Sequence, residues 1–115
     1  MKVKLADFGL ACKFDPNDPP TMKCGSIVSV APEILTDDHY CFKVDMWGLG
    51  VILHELFSTK LPFYHEDEII YKQNIIEKQL NIDSKHQIWS SVSTEAKELV
   101  ERLLDKNPLT RISAS

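Results

Sequence analysis

Residues 45–57 read DMWGLGVILHELF (Asp45–Phe57), and the reading of this run decides the fold. After Asp45, only His54 and Glu55 are strongly polar. Wound as a helix, Met46, Trp47, Leu49, Val51, Ile52, Leu53, Leu56 and Phe57 cover nearly the whole circumference, the pattern of a helix with other elements packed around it. At a rise of roughly 1.5 Å per residue the run spans about 20 Å, short of the ~30 Å needed to cross a bilayer. Gly48 and Gly50 each cost about 1 kcal/mol relative to alanine in a helix interior, which close approach of a neighbouring backbone would offset. Asp45 is placed to cap the helix start, and Pro62 stops any continuation past Leu61. The expected central helix is 45–58.

The 115 residues make one domain or part of one, with 43% hydrophobic and 26% charged residues, ordinary for a soluble globular protein. A net charge of −4 argues against non-specific nucleic-acid binding, which needs a basic face. Cys12, Cys24 and Cys41 are odd in number and too widely spaced for metal-ligand pairs, so free thiols in a reducing compartment are expected. The start, MKVKLADFG, holds no apolar segment of signal-peptide length, which points to a cytoplasmic chain without a membrane span.

Taken in order, 1–6 alternates polar and apolar residues, with Val3 and Leu5 on one face, and reads as a short strand. Asp7-Phe8-Gly9 follows directly. A carboxylate at a strand end, before a glycine that frees the backbone, suits a hard cation such as Mg²⁺, although the tripeptide taken alone fits a plain turn better. From Leu10 to Val30 no periodicity is sustained, and DPNDPP (Asp15–Pro20) fits neither a helix nor a central strand, so an exposed, mobile loop is expected. Ala31-Pro32-Glu33 then opens a short apolar turn. Residues 66–79 read as an amphipathic helix with Ile69, Ile70, Ile75 and Ile76 as its apolar positions. The acids Glu66, Asp67 and Glu68 favour the positive dipole end, with contact to a basic substrate as the alternative. A further helix, 93–105, carries Ser93 as its cap and Ala96, Leu99, Val100, Leu103 and Leu104 as one buried stripe, and Asn107-Pro108 ends it.

The order and spacing of three motifs carry more than any one of them. DFG at residues 7–9, 21 loop residues, APE at 31–33 and then D-x-W-x-x-G at Asp45, Trp47 and Gly50 resemble the activation segment and central helix of protein kinases. The resemblance covers essentially the whole chain. LADFGLA and Cys24-Gly25 are similar to the calcium/calmodulin-dependent and calcium-dependent serine/threonine kinases, although no D-x-D-x-D-G loop is present for calcium. The fold it implies is mainly α: an incomplete kinase domain over 1–115, a helical C-terminal lobe with a remnant strand before DFG and an activation segment over 7–33.

By that resemblance Asp7, with Phe8 and Gly9, would ligate the Mg²⁺ that bridges the phosphates of ATP. Gly25 and Ser26 would cradle the acceptor hydroxyl of a protein substrate, and Thr21 would be a phosphorylation site in the loop. Arg111, in N-P-x-x-R, would pair with Glu33 of APE, while Asp45, Trp47 and Gly50 would be structural. Ile27 and Ser29 depart from the usual proline and aromatic, which alters the substrate groove. The Gly-rich loop, the strand lysine with its glutamate and the His-Arg-Asp loop have no counterpart in this sequence. A missing general base alone costs roughly 10²–10⁴ in rate. The chain is therefore expected to be inactive by itself, with doubtful Mg·ATP binding and with a protein substrate or the remaining kinase portion as its partner. The alternative is a non-catalytic, pseudokinase-like binding module.

Overall fold

A computed structural model describes residues 1–37, 39–83 and 86–115. After an irregular first quarter come a 3-10 turn (Ile27–Ser29) and five helices: α1 (Pro32–Thr36), α2 (Lys43–Ser58), α3 (Glu68–Glu77), α4 (Gln87–Ser90) and α5 (Thr94–Leu103). The architecture is mainly helical and organised on α2, which packs against α5, the 3-10 turn and α4, while α1 leans on α3.

Local chemistry sets most of the helix ends. Pro32 occupies the first turn of α1, where its missing N–H costs nothing. Asp67 caps α3, accepting from the backbone N–H groups of Ile69 (2.8 Å) and Ile70 (3.3 Å), so of the three acids at the start of that helix one is committed to its own backbone, and Glu68, the first helical residue, pairs with Lys72 (2.7 Å). The Ser93 hydroxyl oxygen accepts from Ala96 N–H and caps α5. α2 stops at Thr59, whose left-handed conformation (φ 60°) turns the chain while its N–H closes on the Glu55 carbonyl. The stop thus comes before Pro62.

Two expectations about α2 are corrected. It begins at Lys43, so Asp45 lies inside the first turn and caps nothing. Contacts to the last part of the chain hold the earlier start: the Lys43 ammonium donates to the carbonyls of Leu109 (3.2 Å) and Arg111 (2.8 Å). Asp45 still faces the positive end of the helix dipole. Nor is α2 buried all round. Trp47, Gly50, Val51, His54 and Ser58 are buried, whereas Leu49, Ile52 and Leu56 stand 43%, 55% and 70% exposed along the opposite flank.

The buried face builds the core, with Trp47 and Val51 meeting Val30, Ala31, Ile34, Phe63, Tyr71, Ile75, Val100 and Leu104. Gly50 is where α5 comes closest: a Cβ there would lie 2.9 Å from Leu103 Cβ and from the Leu104 side chain. Gly48 has open space around it. Phe63 stacks on Trp47 (centroids 5.9 Å, interplanar angle 14°) while its backbone is left-handed, φ 63°. Such strain costs on the order of 1–3 kcal/mol and needs the surroundings to impose it. Here the Asn74 amide donates to the Phe63 carbonyl (3.1 Å) and the Lys106 ammonium lies 3.9 Å from the ring centroid.

The amphipathic stripes are less complete than their periodicity implies. Leu99 in α5 and Ile69 and Ile70 in α3 are exposed, while Tyr71 is buried. The strand over 1–6 does not form. Val3 and Leu5 are 83% and 88% exposed, and among the described residues the one β-bridge joins Asp15 to Asp18. A strand needs a neighbour for its N–H and C=O groups, and an isolated alternating hexapeptide has none. The 10–24 loop is exposed but not featureless: Asp18 N–H bonds the Asp15 carbonyl, and the Asp15 carboxylate accepts from Asn17 N–H (2.9 Å). Asp15-Pro16-Asn17-Asp18 is thereby a closed turn.

Candidate functional site

The residues singled out by sequence fall into three places. The first is 7–9. Asp7 adopts φ 64°, the left-handed region an aspartate tolerates better than most residues, and Ala11 N–H closes a turn onto the Phe8 carbonyl (3.1 Å). Asp7 and Gly9 are exposed and Phe8 is 68% exposed. The Asp7 carboxylate is free to serve as one hard oxygen ligand. A Mg²⁺ site is completed by further oxygens, commonly one more carboxylate, phosphates and water. Among the described residues no three His, Cys, Asp or Glu side chains gather to hold a metal. The fit to Mg·ATP is therefore one ligand of a larger set.

The second place is Gly25-Ser26. Gly25 has φ 104°, which only glycine takes without strain, and a Cβ there would touch nothing, so backbone conformation rather than space requires the glycine. The Ser26 hydroxyl oxygen accepts from Val28 N–H (3.4 Å) and caps the 3-10 turn. The turn thus leans on the serine that the resemblance assigns to an acceptor site. Upstream, Thr21 is exposed, flanked by carbonyls that bond to Tyr40: Met22 C=O accepts from the Tyr40 phenol (2.6 Å) and Pro20 C=O from the Tyr40 N–H (3.4 Å).

The third place is buried. The Arg111 guanidinium meets the Glu33 carboxylate in a two-pronged contact, Nη1 to Oε1 at 2.6 Å and Nη2 to Oε2 at 2.9 Å. The two side chains are 0% and 3% exposed. Nε donates to the Asp105 carbonyl (2.8 Å), Nη1 also reaches the Lys43 carbonyl (3.0 Å), and the guanidinium carbon lies 5.2 Å from the centre of the Trp47 ring. A buried charge is tolerable only when paired and hydrogen-bonded to this degree. One cluster therefore joins α1, the start of α2, Trp47 and the segment after α5. Asp45 lies outside it, exposed on the first turn of α2.

Several residues that matter to this region carried no sequence signal. Lys106 donates to the carbonyls of Ile75 and, at 3.5 Å, Asn74 in the last turn of α3, while burial lowers its ammonium pKa to about 8. The periodic pattern marks Lys106 only as a polar residue after a helix. His54 counted as a polar interruption of α2 and is 7% exposed. Its Nδ1 lies 2.8 Å from the Lys60 carbonyl and 3.2 Å from the Ser58 hydroxyl, and its ring meets Trp89 edge-on at 5.2 Å. Burial pushes its pKa down, partly opposed by the Lys60 contact. The one available clue was the i, i+4 spacing of His54 and Ser58, which puts both on one helical face.

A profile of the family "Protein kinase domain" matches residues 1–115. Calcium-dependent protein kinase 8 of Oryza sativa subsp. japonica is 43% identical over 112 residues, which are 97% of this chain and 20% of that protein. The RAC-beta serine/threonine-protein kinase of Homo sapiens is 38% identical over 112 residues, 96% of this chain and 22% of its own length. The liver/testis isoform of the phosphorylase b kinase gamma catalytic chain of Bos taurus is 35% identical over 120 residues, covering 99% and 29%. The chain spans less than a third of the length of these relatives. No helix among the described residues is long and apolar enough to cross a membrane. The profile spans the chain from end to end, and both the three spaced motifs and the buried Glu33–Arg111 pair sit inside the matched region. The chain belongs to the protein kinase domain family.

Proposed function

We propose that the chain supplies the activation segment and helical core of an ATP-dependent serine/threonine protein kinase, and that as these 115 residues alone it does not transfer phosphate. The observation that carries this reading is the split of α2: one face is buried in a complete core, while Leu49, Ile52 and Leu56 form an exposed apolar flank running along it. A helix apolar on both sides is built to be packed on both sides. Leu5, Phe8 and Leu10 around Asp7 are exposed as well.

The remaining kinase portion is the partner these surfaces suit. ATP with Mg²⁺ supplies the phosphoryl group when bound in that complete domain. This chain's own residues have narrower roles. Asp7 offers one carboxylate to the cation. Gly25 and Ser26 shape the turn that receives the hydroxyl of a protein substrate, and Thr21 is the exposed hydroxyl of the loop, open to phosphorylation. The Glu33–Arg111 pair ties the APE helix to the base of the core, so the substrate turn stands on a fixed support. Positioning and charge neutralisation by several parts together make phosphoryl transfer fast, and one carboxylate does not suffice.

The test is a transfer assay with labelled Mg·ATP and a basic protein substrate. The isolated chain is expected to transfer nothing above the blank. Fused behind the preceding kinase-domain residues of a calcium-dependent relative, it is expected to transfer phosphate and to lose that activity on Asp7→Asn. An inactive fusion with an intact fold would count against the reading. It would favour the second one, a binding module, for which the 78% exposed Ile69 beside Glu66 and Glu68 is the supporting observation.

A further inference from the structure

The 10–24 loop meets the rest of the chain at two aromatic anchors that are two residues apart. On the outgoing arm the Phe14 ring stands edge-on to Phe42, with centroids 5.3 Å apart and planes at 81°. On the returning arm Tyr40 bonds twice, phenol to the Met22 carbonyl and N–H to the Pro20 carbonyl. The tip, Asp15–Asp18, bonds to itself. Between the anchors lies a cavity of about 300 Å³, whose lining includes Phe14, Pro19, Glu33, Tyr40, Lys43 and Leu109. The returning arm is thus held at points and not by continuous packing. Pro19 and Pro20 have fixed φ angles, so pinning the carbonyls at 20 and 22 leaves this arm little freedom.

We propose that Tyr40 is the positioning residue of the returning arm, and that its two hydrogen bonds around Thr21 set the pose of Gly25 and Ser26. The role of that pair as the substrate turn rests on the function proposed above; the brace itself does not. Burial first, then the nearby thiols of Cys24 and Cys12, raise the pKa of the Tyr40 phenol. It therefore stays protonated and able to donate at neutral pH. The brace also stands on firm ground. Three residues after Tyr40, Lys43 is bonded to the Leu109 and Arg111 carbonyls, and its own carbonyl accepts from Arg111. The loop is in this way connected through Tyr40 to the buried Glu33–Arg111 pair.

Hydrogen exchange read by mass spectrometry on the 115-residue chain tests this directly. Tyr40→Phe keeps the ring and removes one hydrogen bond, so the amides of residues 28, 29 and 40, which donate to Ser26 and to the Pro20 carbonyl, are expected to exchange about 2- to 12-fold faster, with α2 and α5 unchanged. Alkylation of Cys24 by iodoacetamide is expected to accelerate in parallel. Phe14→Leu is the second variant and is expected to quicken exchange of the Ala11 amide while residues 28, 29 and 40 stay protected. Unchanged exchange at residues 28, 29 and 40 in Tyr40→Phe overturns the proposal, and so does equal loosening of these amides by Phe14→Leu. Loss of protection throughout α2 and α5 in Tyr40→Phe also overturns it, by making Tyr40 a residue of the core fold. In the active fusion described above, Tyr40→Phe is expected to raise the KM for protein substrate a few-fold and leave the KM for ATP in place, whereas an unmoved protein KM contradicts the positioning role. If the fusion is inactive but exchange at residues 28, 29 and 40 rises as expected, the kinase reading fails and the brace stands.

Discussion

Replacing Arg111 by methionine removes a buried side chain that makes four hydrogen bonds. The change deletes two contacts to Glu33, one each to the Asp105 and Lys43 carbonyls, and the packing on Trp47. Glu33, 3% exposed, is left as a buried carboxylate without its partner. Breaking such a pair by removing one side costs about 3–5 kcal/mol. The Asp105 carbonyl, left without its guanidinium donor, acts in the same direction at about 1–3 kcal/mol, and the terms do not simply add. Against a typical domain stability of ~5–15 kcal/mol, Arg111→Met is expected to take most of what holds the chain folded. Glu33→Leu with Arg111→Met removes both charges and is expected to recover a large part of the loss. The assay is urea unfolding followed by tryptophan fluorescence, since Trp47 lies under the guanidinium. The expected outcome is a coupling energy above about 2 kcal/mol between the two positions, within the range for one hydrogen-bonded network. A single-variant loss under about 1 kcal/mol, the size of a surface ion pair, would refute the reasoning.

Three further expectations follow from other parts of the structure. Gly50→Ala should destabilise, because a Cβ 2.9 Å from Leu103 and Leu104 overpacks the α2–α5 contact by about 1–3 kcal/mol, whereas Gly48→Ala meets open space and should stabilise by up to about 1 kcal/mol. Melting temperatures of the two variants should thus move in opposite directions. His54 has a folded-state pKa below its ordinary value of 6.5, so the unfolded chain binds the extra proton first. Stability should be undiminished above about pH 6.5 and fall as the pH drops from there through the depressed folded pKa, and urea midpoints should lose that acid slope in His54→Gln. Millimolar Mg·ATP should leave the melting temperature of the isolated chain where it is, since stabilisation by a ligand requires binding to the folded state. A clear upward shift abolished by Asp7→Ala would contradict this.

What the sequence made legible were the elements whose signal is local. The place of α2 in the chain and the Ser93 cap come from periodicity and capping chemistry that need no partner, whereas α5 ends at Leu103, ahead of Asn107-Pro108. The misread features depend on something outside their own segment. The 1–6 segment has the alternation of a strand, yet alternation makes a strand only beside another one. Asp45 looks like a cap until Lys43, tied to Leu109 and Arg111, draws the helix start forward. An all-round apolar α2 implied burial on every side, and the structure supplies neighbours for one face. The candidate site divides in the same way. Asp7 stands in the spaced motifs themselves, whereas Gly25, Ser26, Thr21 and the contact between Glu33 and Arg111, 78 residues apart, were reached through the family resemblance. Tyr40, His54 and Lys106 act through backbone carbonyls, which carry no residue identity and so leave no trace in a sequence.

The split of α2 is the claim on which the functional reading rests, and amide exchange along Met46–Phe57 tests it most directly. The isolated chain and the fusion carrying the preceding kinase-domain residues would be compared under the same conditions. Covering Leu49, Ile52 and Leu56 should contribute about 1.5–3 kcal/mol for each side chain fully buried. The account therefore predicts that α2 amides exchange at least roughly tenfold more slowly in the fusion, about 1.4 kcal/mol, with the largest gain around Leu49–Leu56. Equal protection of α2 in the two proteins would contradict it, showing that this flank is not where the rest of a kinase domain packs.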